Sequence, residues 1–349
     1  MTNVVDDHGA DPSGLTDSTA AFVSAIEAQR AKRAYLPKTG GGTLNIAAGG
    51  IIDVPAGVYV LSDFVKLQQR EHLRCEAGTF LSFSAGGLVL DSFYTQSQAD
   101  VEVSGRPSIL STYGGIGFHA QGGGFSRIEA NFGGWDTCVK LEGSNGLEIV
   151  GPIFASWENM GNPHPIGVHF ATPGAGGACN GNSVLGAQFN ACSIGVWSED
   201  GQGNTVHGNF NSCGEVARIE GTQGLKISGE AEGCTSDAYF RLGPPGGYGQ
   251  ARIVAQSLDL SGFSVSRNEA HSPAFMRLEL LAQAWSVRLD GGKSLGAPAG
   301  PVIGCGSPWP TIPYVMIRDL YRSGWLMGGS KPTAAQLFDR QLYGIDHGA

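Results

Sequence analysis

An eight-residue pattern returns at a fixed interval in the middle of this chain. Ile128-Glu-Ala-Asn-Phe132-Gly-Gly-Trp135 aligns with Leu185-Gly-Ala-Gln-Phe189-Asn-Ala-Cys192, with Val206-His-Gly-Asn-Phe210-Asn-Ser-Cys213 and with Ile227-Ser-Gly-Glu-Ala231-Glu-Gly-Cys234. Ile149-Val-Gly-Pro-Ile153 fits between the first two, so positions 128, 149, 185, 206 and 227 advance by 21, 36, 21 and 21 residues. A unit of this size cannot bury its own apolar side and gains a core only by stacking on copies of itself. The long step reads as one unit plus about 15 inserted residues within the span 155–180.

Each unit carries further short strands. Val139-Lys-Leu141, Val196-Trp-Ser198, Ala217-Arg-Ile219 and Ala238-Tyr-Phe240 form one set, and Leu147-Glu-Ile149 and Leu225-Lys-Ile227 another. Three short strands joined at Gly or Asn corners describe one coil of a parallel β-helix. Successive residues on a strand point to opposite faces, so Phe132, Phe189, Phe210 and Ala231 are expected to stack inside. Cys192, Cys213 and Cys234 recur with the repeat, and Trp135 holds the equivalent place. That regularity reads as an inward ladder of small apolar side chains, not as a disulfide or metal site.

Composition agrees. Glycine supplies 55 of 349 residues without a Gly-X-Y period, which means many tight turns. A net charge of −9 without any Lys/Arg cluster argues against a nucleic-acid partner and against an anionic membrane surface. No apolar run is long enough to span a bilayer, so no membrane insertion is expected. The first residues show no basic stretch followed by an apolar core, so no signal peptide is expected. Free cysteines point to assembly in a reducing cytoplasm.

Residues between the inward ones must face out and form columns of their own. One reads Asn131, Gln188, Asn209, Glu230; the next reads Gly133, Asn190, Asn211, Glu232. Amides that donate and accept suit sugar hydroxyls. Glu230 and Glu232 are two residues apart on one strand, roughly 6.6 Å between Cα atoms. Paired carboxyls at roughly 5–9.5 Å are what glycoside hydrolysis uses, one as acid and one as base or nucleophile. The same residues also fit a structural Asn ladder beside solvated acids. His207, on the strand of Asn209, is a further candidate, and Glu199 reads as part of a turn. In the insertion, Trp157 can stack on a sugar with Glu158 beside it as a third catalytic candidate; packing against a neighbouring subunit explains them equally. No cofactor and no metal is expected.

The N-terminal segment carries a resemblance. Residues 6–26 include Asp-Asp-His-Gly-Ala-Asp-Pro and Thr16-Asp17-Ser-Thr-Ala-Ala, followed by Val54-Pro-Ala-Gly-Val-Tyr59. Thr16 and Asp17 suit a helix N-cap, Phe22, Val23 and Ile26 share a face, and Lys32 and Arg33 close the helix. Such a helix, laid over the first open strand edge, would block edge pairing. This module resembles the opening of the pectate-lyase-like parallel β-helix superfamily, which includes phage tailspike depolymerases, polysaccharide lyases, glycosidases and alginate epimerases. The resemblance implies a right-handed single-stranded β-helix with an N-terminal capping helix and an irregular C-terminal tail. It also implies a polysaccharide substrate, a homotrimer, and a virion-tail or extracellular location.

The expected organisation is a capping module over 1–50, the β-helix over 51–260, and C-terminal coils, cap or oligomerisation segment over 261–349. The aromatic stretch 309–327 and a short helix at about 333–342 belong to the last part. Signatures of polygalacturonase-like glycosidases, alginate epimerases and calcium-dependent pectate lyases are missing; Tyr113–His119 is not the epimerase run. No family's catalytic residue therefore carries over. The functional expectation is a tailspike-type depolymerase, with a polyuronate lyase and a non-catalytic adhesin as alternatives.

Overall fold

The computed structural model describes residues 1–32, 34–37, 43–46, 50–91, 100–155, 165–171, 179–199 and 201–234, then separate strands between 240 and 318. Among these residues nineteen strands make one sheet, ten make a second, and Ala34–Pro37 and Thr43–Ile46 form an antiparallel hairpin. Pairing within both large sheets is parallel, each strand lying between its counterparts in the preceding and following coils. Thus Thr137–Glu142 belongs to the shorter sheet. The chain then turns into Glu148–Val150 and Ile153–Ala155 of the longer one and returns at Ile166–Ala171 beside Thr137–Glu142. The architecture is a parallel β-helix.

The core is a column of rings. Phe132, Phe154, Phe189 and Phe210 are buried, with centroids 5.8, 4.9 and 4.4 Å apart in order. The last pair is parallel to within 1°. Opposite them the shorter sheet brings glycine. A Cβ on Gly167 would stand 2.6 Å from the Phe189 ring, and one on Gly195 would stand 2.6 Å from that of Phe210 and 2.8 Å from Val216 O. Ala231 takes the next inward slot, and Phe263 approaches Phe210 at 6.0 Å.

Phe154 corrects the sequence alignment, which put Ile153 in this column; Ile153 faces out and is 38% exposed. The slip has a local cause. Gly151 and Gly186, at φ 60° and 66°, each add one residue to their coil. The register accordingly shifts between Leu185 and Ala187, so Val184 rather than Leu185 pairs with Val206. In the second strand set Ala217 pairs with Phe240, not Ala238.

The cysteine ladder is inward, with Cys192, Cys213 and Cys234 buried and their thiols free. Cys213 Sγ lies 3.4 Å from Phe189 O and Cys234 Sγ 3.6 Å from Phe210 O; Trp135 Nε1 donates equivalently to Ile109 O at 2.9 Å. At another corner Asn182 and Asn204 are fully buried. Asn182 Nδ2 donates to Ser144 O and to Asn204 Oδ1, and Asn204 Nδ2 donates to Cys179 O. Buried amides bonded in this way fix the corner with their own polar groups paired.

The helix, α1, spans Thr19–Arg30 and lies against Thr2–Asn3, Gly50–Val54 and Val65–Leu67. Phe22 meets Tyr59 edge-on at 5.5 Å, and Arg30 reaches the buried Glu71 at 2.7 Å. Ser18 is the N-cap, in place of Thr16 or Asp17; Asp17 instead accepts from the Thr19 N–H and hydroxyl. Val23 is 43% exposed and so leaves the expected apolar face. Parallel pairing runs past residue 260 to Tyr314–Arg318. Arg33, most of 309–327 and the helix expected at 333–342 lie outside the described residues. The long step is not a single loop: its extra residues divide between connections 156–165 and 172–182, either side of strand Ile166–Ala171.

A second corner follows the Phe column and turns on Gly134, Ala191, Ser212 and Gly233, all at positive φ. Ala191 and Ser212 hold φ 53° while their N–H groups bond Asn211 O and Glu232 O. A left-handed residue with a Cβ is strained. Ala191→Gly and Ser212→Gly are each expected to stabilise the protein by about 1 kcal/mol. Gly195→Ala, which drives a methyl into the ring column, is expected to cost about 1–3 kcal/mol. Denaturant midpoints of the three variants measure both effects.

Candidate functional site

Alternation on the longer sheet follows from the ring column. Because Phe189, Phe210 and Ala231 are buried, Gln188, Asn209 and Glu230 point out on one side of them and Asn190, Asn211 and Glu232 on the other. The register is continuous: Gln188 pairs with Asn209 and Asn209 with Glu230, while Asn190 pairs with Asn211 and Asn211 with Glu232. Gln188, Asn209, Glu230 and Glu232 are exposed, and Asn190 and Asn211 half-buried. Asn211 Nδ2 donates to Asn190 Oδ1 at 3.2 Å, a link that holds both amides in the plane of the ladder. Neighbouring strands stand ~4.8 Å apart, so the face offers hydrogen-bonding groups at a regular repeat along the helix axis. His207 is exposed on the strand of Asn209, its Nδ1 3.1 Å from Ser228 Oγ. The structure thus brings seven of the nine residues singled out in the sequence onto one face. Trp157 and Glu158 lie outside the described residues.

A second polar cluster escaped sequence reasoning. On the outer face of the shorter sheet, His119, Lys140, His169, Trp197 and Arg218 succeed one another in register. His119 Nε2 and Glu142 Oε2 are 2.7 Å apart, with Lys140 Nζ 3.8 Å from the same carboxylate. His169 stacks on Trp197 at 4.3 Å and 7°, and its Nε2 lies 3.1 Å from Glu199 Oε1. Glu199 therefore packs against His169 as well as forming part of a turn. Arg218 grips Glu215 through both carboxylate oxygens at 2.9 Å. The signal available was the charged residue between apolar ones in Val139-Lys-Leu141 and Ala217-Arg-Ile219. His119 and His169 fall in coils that the repeat alignment did not reach.

Burial lowers the His119 pKa below its ordinary 6.5, against the opposing hydrogen bond to Glu142; Lys140 and His169 add to the lowering. No group of three or more metal-ligating side chains occurs among the described residues. No helix among them is long and apolar enough to cross a membrane.

No protein-family model matches the chain, and no curated protein matches it. Solved structures do. Two of PfbA, a surface adhesin of Streptococcus pneumoniae, align with TM-scores of 0.56 and 0.50 at 12% and 11% identity. The first alignment covers 93% of this chain and 91% of that one, the second 87% and 89%. The ORF18 protein of Geobacillus virus E2 aligns with a TM-score of 0.51 at 12% identity, over 91% of this chain and 61% of its own. At such identity the likeness is one of fold. The class that this fold defines is the parallel β-helix.

A histidine whose folded pKa is depressed holds fewer protons than the unfolded chain just below pH 6.5. Its stabilising contribution is present above that pH and is lost as the pH falls through the lower folded value. His119→Gln is expected to flatten the stability profile on the acid side of neutrality, read from denaturant midpoints between pH 7 and 5.

Proposed function

We propose that this protein binds a polysaccharide along the outer columns of its longer sheet and cleaves it there, in the manner of a tailspike-type depolymerase. The observation that carries the reading is the in-register row Gln188–Asn209–Glu230 beside Asn190–Asn211–Glu232. A glycan laid parallel to the helix axis meets an amide or carboxylate in each coil, and amides satisfy hydroxyls as both donors and acceptors. His207 adds a titratable donor or acceptor on the same strand as Asn209.

Glu230 and Glu232 share one strand and one face, and both are exposed. In hydrolysis one carboxyl, protonated, gives its proton to the leaving glycosidic oxygen. The other, ionised, activates water or attacks the sugar carbon. Trp157 and Glu158 remain candidates for a stacking platform and a third acid. The fold is shared with a surface adhesin and a viral protein, which supports an extracellular or virion location. The same superfamily resemblance supports a trimer, with α1 as the cap of the first coil.

A second reading is binding without cleavage. The Asn211–Asn190 hydrogen bond favours it, since that bond engages the amides with each other. Incubation with a panel of bacterial capsules, lipopolysaccharides and polyuronates separates the two. Hydrolysis releases reducing ends without the ultraviolet absorbance of an unsaturated uronate. Glu230→Gln or Glu232→Gln is then expected to slow release about 100-fold or more with binding retained. Asn209→Ala with Asn211→Ala is expected to weaken binding instead. Binding without release of reducing ends establishes the adhesin reading, and release accompanied by that absorbance overturns the two-carboxylate mechanism.

A further inference from the structure

The corner that leads into the longer sheet is turned at positive φ in successive coils, by Arg70 and Asp100 at 61° and 45° in the first two of them. Gly146, Gly181, Gly203 and Gly224 turn it at φ 62–74° in four coils, and in the coil before them the same turn is made by Phe125 at φ 55°. This phenylalanine is 66% exposed. Its ring is not part of the core, and it lies along the neighbouring glycine, at 3.5 Å from where a Gly146 Cβ would stand. A bulky residue is thus held where glycine is favoured, with its side chain displayed to solvent.

Beside this ridge runs a second row. Parallel bridges link Gly124, Asn145, Asn180, Gln202 and Gln223 in register. Asn145, Gln202 and Gln223 are exposed, and Gln202 Nε2 donates to Gln223 Oε1 at 2.9 Å. Asn180 Oδ1 is buried and accepts no hydrogen bond, so this row contains an acceptor that protein atoms leave unsatisfied. On the strand side of the ridge stand Arg127, Glu148, Ser183, Thr205 and Lys226. Arg127 is paired with both Glu148 and Glu129, at 2.6 and 2.8 Å. Arg127 and Lys226 face Glu129, Glu148 and the exposed Asp100 of the preceding coil, so positive charge is not in excess. The corner therefore offers an aromatic face, a row of amides, two hydroxyls and no excess of positive charge.

We propose that this corner is a second glycan subsite for an uncharged, hydroxyl-rich sugar chain. Phe125 packs on the apolar face of one pyranose, and the Asn145–Asn180–Gln202–Gln223 row bonds the hydroxyls of those that follow. The inference rests on the glycan-binding reading above and adds a site on a different part of the coil from Glu230 and Glu232. A neutral sugar is preferred over an acidic one because no cation near the ridge is in excess: Arg127 is shared by Glu129 and Glu148, and the exposed Asp100, one coil before Phe125 in the same corner, offsets Lys226. Two sites on one rigid scaffold also raise the avidity for a long polymer without any new contact.

Strain gives the test its sign. Phe125→Gly removes the left-handed Cβ and the exposed ring together, so a ring that serves only the fold and one that serves a ligand predict opposite results. Denaturant midpoints are measured for wild type, Phe125→Gly, Phe125→Tyr and Gln202→Ala/Gln223→Ala. Affinities are measured on immobilised dextran, galactomannan, chitin oligosaccharides and the same bacterial polysaccharides. The expected result is a Phe125→Gly protein that unfolds at higher denaturant yet binds at least about 10-fold more weakly, with Phe125→Tyr binding as wild type does and the double amide variant impaired. Phe125→Gly with wild-type affinity overturns the corner site and leaves the glycan-binding reading standing. A Phe125→Gly protein of lower stability overturns the claim that the ring is displayed for a ligand. Wild type that binds no member of the panel overturns the glycan-binding reading itself and the corner site with it.

Discussion

Like side chains stacked on like side chains hold this molecule in register. When Phe189 and Phe210 lie parallel at 4.4 Å, the strands that carry them can pair in only one way, because a slip of one residue would turn each ring to solvent. The glycines opposite, Gly167 and Gly195, are the counterpart of the rings: each leaves the space that its ring fills. Ring column and glycine row together set the width of the coil. The cysteine ladder and the satisfied Asn182–Asn204 corner then fill the remaining slots with groups small enough, or well enough bonded, to repeat.

A fixed register inside determines what stands outside. Amides and carboxylates two residues apart on each strand are drawn into straight columns by the same alternation that buries the rings. No pocket has to be built for such a surface; its geometry is that of the backbone ladder, repeated at each coil. The His119–Glu142 and His169–Glu199 contacts obey the same rule on the shorter sheet, where His119, Lys140 and His169 fall one above another. A solenoid turns short-range sequence regularity into long, linear chemical patterns, and a linear polymer is the ligand that matches them.

The parts legible in the sequence are those where the same residue type recurs at the same offset. Phe132, Phe189 and Phe210, the three cysteines and the columns ending in Glu230 and Glu232 were readable for that reason. The rest was hidden where the count changes. Gly151 and Gly186 each insert one residue, which moved Phe154 out of its column on paper and put Ile153 in its place. A repeat read at constant period cannot see a bulge made by a left-handed glycine. The Asn182–Asn204 pair was also visible, in hindsight, as Gly181-Asn-Ser-Val and Gly203-Asn-Thr-Val, but an Asn on a corner reads equally well as a solvated turn. His119 and His169 gave no sequence signal, because their partners lie one coil away and two residues along. The helix start slipped for a smaller reason: Asp17 caps the Thr19 N–H from just outside the helix, while Ser18 occupies the N-cap position with its hydroxyl turned to the Asp11 N–H.

The central claim is that neighbouring coils are held in register by direct stacking of their inward rings. A double-mutant cycle on Phe189→Leu and Phe210→Leu tests it most directly, with stability read by denaturant unfolding. Stacked rings predict that the double variant loses less than the sum of the single losses, by about 0.5–1.5 kcal/mol. Losses that add to within about 0.5 kcal/mol would mean that each ring contributes only its own burial, and the account of register would fail.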